Sequence, residues 1–87
     1  AAGMKQVTVR YFASIREALN VGSERVATDA PTLAALRDEL IARGGAHGEA
    51  LARDKLVRLA LDQAMADESA ALHDGAEVAF FPPVTGG

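Results

Sequence analysis

The sequence has no cysteine. Disulfides, thiolate metal sites and cysteine nucleophiles are thereby excluded together, which points to a cytoplasmic setting. Any sulfur chemistry would need a sulfur that the chain does not encode. Long apolar runs are missing too: nothing approaches the roughly 20 residues that span a bilayer, and no charged segment precedes an apolar one as in a signal peptide. A soluble chain without a membrane partner is expected. The net charge of −3, with no cluster of basic and aromatic residues, argues against nucleic acid as a partner. There is no glycine-rich phosphate loop, nucleophile elbow or acid pair. His47 and His73 stand far apart with no ligand motif around them, so no metal site is expected.

What is present reads as one domain, because 87 residues fall just short of the usual range of about 100 to 200 per domain. Ala1, Ala2 and Gly3 precede Met4; they read as an expression scar and are left out of the fold argument. In KQVTVRYF, Val7, Val9 and Tyr11 alternate with Gln6, Thr8 and Arg10, the period of a half-buried strand. ASIREALN places Ile15 and Leu19 on one face of a short helix that Asn20 to Gly22 stops, and SERVAT reads as a second strand. The clearest helix is PTLAALRDELIARGG. Thr32 is its N-cap, Leu33, Leu36, Leu40 and Ile41 form its stripe, and Gly44-Gly45 close it. Residues 45–55 are weakly helical and carry no assigned role.

A third strand follows in LVRLALDQ, with Val57, Leu59 and Leu61 on one side; Asp62-Gln63 turns the chain into a short strand around Met65, and Asp74-Gly75 turns it into the last strand. The order is β, short α, β, α, β, β, β. A mixed sheet covered by one main helix is the economical arrangement, because the stripe on the long helix needs an apolar face to cover. Lys55 and Arg58 face Asp54, Asp62, Asp67, Glu68, Asp74 and Glu77 in the second part of the chain. This acidic excess reads either as a solvated rim, with Asp67-Glu68 in a loop, or as a surface that seeks a basic partner.

The chain closes on EVAFFPPVTGG. Alternation puts Val78 and Phe80 on one face of the last strand and Glu77, Ala79 and Phe81 on the other. The side shared with Glu77 is expected to be wet, so Phe81 either anchors a protein contact or folds against a neighbouring loop. Pro82 and Pro83 cannot donate backbone hydrogen bonds, so strand pairing ends there in an extended, stiff direction. Val84 to Gly87 then reach about 13 to 14 Å. Gly86 and Gly87 carry no Cβ and fit a channel too narrow for a side chain. The only reactive group at this end is the Gly87 α-carboxylate, ionised at neutral pH and a poor electrophile. Covalent use requires activation by a partner, for example as an acyl-adenylate.

VRYFASIRE near the start and DGAEVAFFPPVTGG at the end resemble the small, sulfur-carrier subunits of molybdopterin synthases, ubiquitin-like β-grasp proteins of the α+β class. The resemblance covers residues 4–87, with the domain over 4–83 and a functional tail over 84–87. It implies about five strands packed on one main helix with short extra helices. It also implies that Gly87 is adenylated with ATP by a ubiquitin-activating-like adenylyltransferase. A sulfurtransferase system then converts it to a thiocarboxylate, which donates sulfur to cyclic pyranopterin monophosphate to form the molybdopterin dithiolene. The chain would not be an enzyme alone: the large subunit supplies the catalytic pocket, two small and two large subunits form a heterotetramer, and ATP binds the activating partner. No cofactor or metal is expected on this chain.

By position in the motif, Gly87 carries the sulfur, Gly86 is the slim residue before it, and Val84 and Thr85 thread the tail. Phe81, Met65, Pro82 and Pro83 fall at the partner interface; for Met65 a place in the core is the competing reading. Asp62 departs from the Asn expected before Gln63, and both residues suit a turn. Delivery to thiamine, cysteine or tRNA thiolation, and a non-covalent β-grasp module with an incidental Gly-Gly, are the alternatives.

Overall fold

The alternation of valines at the start of the chain forms β1 (Lys5–Tyr11), in which Val7, Val9 and Tyr11 are all buried. In the computed structural model, which describes residues 4–52 and 54–82, there follow α1 (Ala13–Leu19), β2 (Ser23–Thr28), α2 (Leu33–Ala42), α3 (Gly45–Ala50), β3 (Arg58–Leu61), β4 (Ala64–Ala66) and β5 (Glu77–Phe81). The strands form one mixed sheet in the order β2-β1-β5-β3-β4. The two central strands, β1 and β5, are parallel, and the other pairs are antiparallel. The α+β arrangement expected from the sequence is the one observed.

Apolar spacing explains which surfaces close on each other. Leu33, Leu36 and Leu40 of α2 join Val7, Val9, Val26, Leu59, Val78 and Phe80 from one sheet face in a single buried cluster. Each such side chain contributes roughly 1.5 to 3 kcal/mol by leaving water. Thr32 caps α2 as its sequence suggests, its Oγ1 accepting from the Ala35 N–H at 3.3 Å. At the other end Gly44 and Gly45 take φ of 76° and 56°, a region open to glycine at little cost. The weakly helical segment resolves into α3, followed by a loop that returns to the sheet.

One acid ties four elements together. Glu24 of β2 accepts from Tyr11 Oη at 2.7 Å and from Arg43 Nη1 at 2.8 Å, and His47 Nε2 lies 3.1 Å away. The His47 ring also stands edge-on to Tyr11, with 6.0 Å between centroids. Burial acts to raise the Glu24 pKa. The hydrogen bonds from Arg43, Tyr11 and His47 outweigh it and hold the group at about 2. Tyr11 is pushed well above the usual phenol range by burial first and by its bond to Glu24 second.

A depressed acid contributes stability that is present above its unfolded pKa and lost as pH falls through the folded one. For Glu24 that window runs from the usual carboxylate value of 4.5 down to about 2. Urea midpoints measured across this range should fall with acid in the native chain. In Glu24→Gln they should be lower at neutral pH and flatter with pH; an unchanged slope would remove Glu24 from the acid response.

Candidate functional site

The sheet face turned away from α2 carries the residues that the core does not use. Strand register sets them in rungs. Arg10, Ala79, Ala60 and Met65 lie across β1, β5, β3 and β4, and the next rung toward the chain end pairs Phe81 with Arg58. Met65 is 60% exposed, which rules out the core reading of this residue. Phe81 is half-buried, because the Phe12 ring meets it edge-on with centroids 6.0 Å apart. The face around Phe81 is solvent-exposed as expected, and on it Phe81 rests against its neighbour Phe12. Its partner Phe12, 40% exposed, was missed by sequence reading; the available signal was that a residue after buried Tyr11 must turn to the other face.

Phe12 follows β1 and precedes Ala13, whose φ of 52° lies in the left-handed region that costs a non-glycine residue about 1 to 2 kcal/mol. Its own N–H still donates to the Phe80 carbonyl at 3.1 Å, extending the β1–β5 ladder. Arg10 stacks its guanidinium 5.7 Å from the Phe12 ring centre and donates to Glu77 at 3.3 Å. Phe12, Phe81, Ala79, Ala60 and Met65 line a shallow depression of about 380 Å³ bordered by Arg10, Gln63 and Glu77. Apolar in the middle and polar at the rim, it has the make-up of a protein-docking surface.

At the end of β5, Pro82 is half-buried and lines a second hollow, of about 280 Å³, with Ile15, Ala18, Leu56 and Val57. Leu56 is 79% exposed. The loop that carries it is held from beneath by Arg37, which is 4% exposed. Arg37 Nε donates to the Leu51 carbonyl at 2.8 Å, Nη2 donates to the Ala52 and Lys55 carbonyls at 2.7 and 3.1 Å, and Nη1 pairs with Glu68 at 2.5 Å. Glu68 is thus the counter-ion of a buried cation. The reading of Asp67-Glu68 as solvated charge holds for exposed Asp67 and fails for Glu68, because spacing along the chain does not reveal a partner 31 residues away. Pro83, Val84, Thr85, Gly86 and Gly87 lie outside the described residues.

The β3–β4 turn that presents Gln63 and Met65 is fastened to the start of β5. Asp62 and Gln63 take φ of 52° and 71°, two consecutive left-handed residues as in a tight hairpin turn. Asp62 Oδ1 accepts from the Glu77 N–H at 3.0 Å, and Oδ2 lies 2.7 Å from His73 Nε2. His73 Nδ1 is 2.9 Å from the Asp74 carbonyl oxygen. Both ring nitrogens face atoms that only accept, so the arrangement requires the doubly protonated imidazolium. The His73 pKa is raised accordingly, by Asp62 first and the Asp74 carbonyl second. That of Asp62 is lowered by the Glu77 N–H first and His73 second. Among the described residues no group of His, Asp and Glu is placed to hold a metal ion, and no helix is long and apolar enough to cross a membrane.

This geometry has relatives. The ThiS family profile matches residues 9–87. The molybdopterin synthase sulfur carrier subunit of Escherichia coli is 42% identical over 81 residues, 93% of this chain and 99% of that protein. Among solved structures, SAMP1 from Haloferax volcanii superposes with a TM-score of 0.74 at 26% identity, covering 94% of this chain and 99% of its own. A protein–protein complex of subunits 1 and 2 of molybdopterin-converting factor from Helicobacter pylori contains a chain that superposes with a TM-score of 0.63 at 29% identity, covering 94% and 99%. The fold is the ubiquitin-like β-grasp.

The Asp62–His73 clasp is directly testable. A cation gaining an acceptor holds its proton to higher pH, so the clasp is complete below the ordinary imidazole pKa and is lost as pH rises through the raised one. An NMR titration of His73 should have its midpoint above 6.5 and return toward it in Asp62→Asn; equal midpoints would mean that the pair does not form in solution.

Proposed function

The chain belongs to the ThiS family, and from that premise we propose that it is the sulfur-carrier subunit of a molybdopterin synthase. The observation that carries this reading is the 42% identity to such a subunit over 99% of that subunit's length. It is supported by FFPPVTGG, whose two phenylalanines end β5, a central strand of the sheet.

In this reading the chain supplies two things, a face and a carbon. The apolar depression around Phe12, Phe81 and Met65 docks on a partner while β5 fixes where Pro82 leaves the sheet. The reacting atom is the Gly87 carboxyl carbon. One carboxylate oxygen attacks the α-phosphorus of ATP held by a ubiquitin-activating-like adenylyltransferase, and pyrophosphate leaves. The acyl-adenylate so formed is an electrophile that the free carboxylate is not. A sulfur nucleophile delivered by a sulfurtransferase system displaces AMP and leaves a thiocarboxylate.

Threaded by Val84, Thr85 and Gly86 into the large synthase subunit, the thiocarboxylate gives up its sulfur to cyclic pyranopterin monophosphate, and the acyl carbon takes oxygen in its place and returns as the Gly87 carboxylate. Two deliveries complete the dithiolene. The absence of cysteine is accounted for, since the sulfur rides on a carbonyl carbon. The complex of subunits 1 and 2 from Helicobacter pylori supports a large subunit as the docking partner, and two copies of each chain are the assembly proposed.

Incubation with the adenylyltransferase, ATP and a sulfur donor should add about 16 Da, the replacement of oxygen by sulfur, at Gly87. Deleting Gly87 should abolish the gain and leave the thermal midpoint nearly unchanged. A competent activating system that leaves the mass unaltered would sink the carrier reading. Charging without sulfur reaching the cyclic pterin in the presence of the large subunit would move the chain to another thiolation pathway. Phe81→Ala should weaken binding to the large subunit by roughly 1 to 4 kcal/mol in calorimetry, as expected of a central aromatic anchor; undiminished affinity would return Phe81 to an intramolecular role.

A further inference from the structure

The chain as a whole is acidic, with a net charge of −3, but its docking face is not. Each carboxylate on the open sheet face is already engaged. Glu77 pairs with Arg10, and Asp62 with His73. Asp67, at the edge of the face, accepts the Ser69 N–H and hydroxyl at 3.2 and 2.6 Å through Oδ1. Arg25 and Arg58 remain on that face, both exposed, and among the described residues neither has a hydrogen-bond or ion-pair partner. Hydrogen bonds from neutral Ser69 leave the Asp67 charge in place, but Arg25 and Arg58 together outweigh it, so the net charge of the open face is positive, opposite to that of the chain. The acidic residues that composition assigns to a partner surface are largely spent within the molecule.

The two arginines differ in place. Arg25 lies on edge strand β2 opposite Thr8, away from the apolar depression. Arg58 opens β3 directly opposite Phe81, where facing residues have Cβ atoms about 4.5 to 5.5 Å apart. It also lines a hollow with Met65 and Asp67. It is thus the one free cation of the described residues that borders both apolar anchors and the strand end from which Pro82 departs. A guanidinium presents a planar fork of donors that matches a carboxylate, and beside an apolar contact such a pair is sheltered from water on one side.

We infer that Arg58 is a specificity-determining contact, and that the partner which accepts the tail carries a carboxylate opposite Arg58 at the mouth of its tail-accepting opening, next to the apolar seat for Phe81 and Met65. The inference rests on the sulfur-carrier reading for the identity of that partner. In this arrangement the apolar residues hold the complex together, and the charge pair steers encounter and selects among partners whose faces are otherwise similar. Charges at a rim act mainly on association, whereas anchors act on dissociation.

The test measures both rates for the full-length chain and the purified large subunit, by surface-based kinetics at low salt and at about 1 M salt, where the Debye length shrinks to about 3 Å. Arg58→Glu should slow association about tenfold at low salt and leave dissociation within a factor of about two. The difference should vanish at high salt, Arg58→Lys should restore most of the rate, and the melting temperature should be unchanged. Phe81→Ala, measured alongside, should speed dissociation at both salt concentrations.

If Phe81→Ala speeds dissociation while Arg58→Glu leaves association unchanged, or slows it equally at both salts, the role of Arg58 is overturned and the docking face stands. If neither the native chain nor its variants bind the large subunit, the choice of partner in the sulfur-carrier reading fails. The same Arg58→Glu measurement on the adenylyltransferase then decides the inference: salt-dependent slowing supports it, and no effect overturns it.

Discussion

The whole tail end of this molecule depends on β5 being a central strand. It is bonded along one edge to β1 in parallel and along the other to β3 in antiparallel, so it has no free edge over which to slip. Its register is locked on the core side by Val78 and Phe80, both at 0% exposure, because a shift of one residue would exchange them for Glu77, Ala79 and Phe81. Every aromatic residue of the chain sits at the tail-side ends of the two parallel strands or directly after them. Tyr11 stacks on Phe80 beneath the sheet with centroids 6.2 Å apart, and Phe12 meets Phe81 above it. The strand end from which Pro82 leaves is thus gripped from both faces, and the position of the root is determined by core packing.

Around that strand the connections are fastened by polar groups, because a small domain has little apolar surface left to hold its loops. Glu24 joins β2 and β1 to the end of α2 and to α3. Arg37 caps the carbonyls at the end of α3 and pins the loop that bears Leu56. Asp62 ties the β3–β4 turn to the first residue of β5. A buried guanidinium is costly to desolvate, and Arg37 offsets that cost by spending four of its hydrogen bonds on three carbonyls and one carboxylate. The result places Leu56, Met65 and Phe81 on firm supports, which a docking surface requires if ordering entropy is not to be spent at the moment of binding.

Recognition and chemistry are separated in space in such a carrier. In the proposed reading the sheet face supplies shape and charge for a partner, whereas the reacting carbon belongs to Gly87 and depends on the partner for activation, so no cavity is needed in a core of this size. The hollow at Phe12 and Phe81 and the one at Leu56 and Pro82 are open surface features lined largely by apolar side chains. They suit contact with a protein, and they flank the chain as it leaves the sheet.

Much of this was legible in the chain itself. Alternation in KQVTVRY and EVAFF, the leucine spacing of α2, the Thr32 cap and the turns at Asp62-Gln63 and Asp74-Gly75 are local patterns, and each formed as its period or turn chemistry required. VRYFASIRE near the start and DGAEVAFFPPVTGG at the end carried the functional resemblance. Pairings between residues distant in sequence were decided only in three dimensions: Phe12 against Phe81, Arg37 against Glu68, Asp62 against His73, and the burial or exposure of Met65. The physical reason is that periodicity tells which residues share a face but not what lies across from them. Sheet order, which brought β5 between β1 and β3, settled which charges neutralise one another and left Arg58 beside Phe81 without a partner among the described residues.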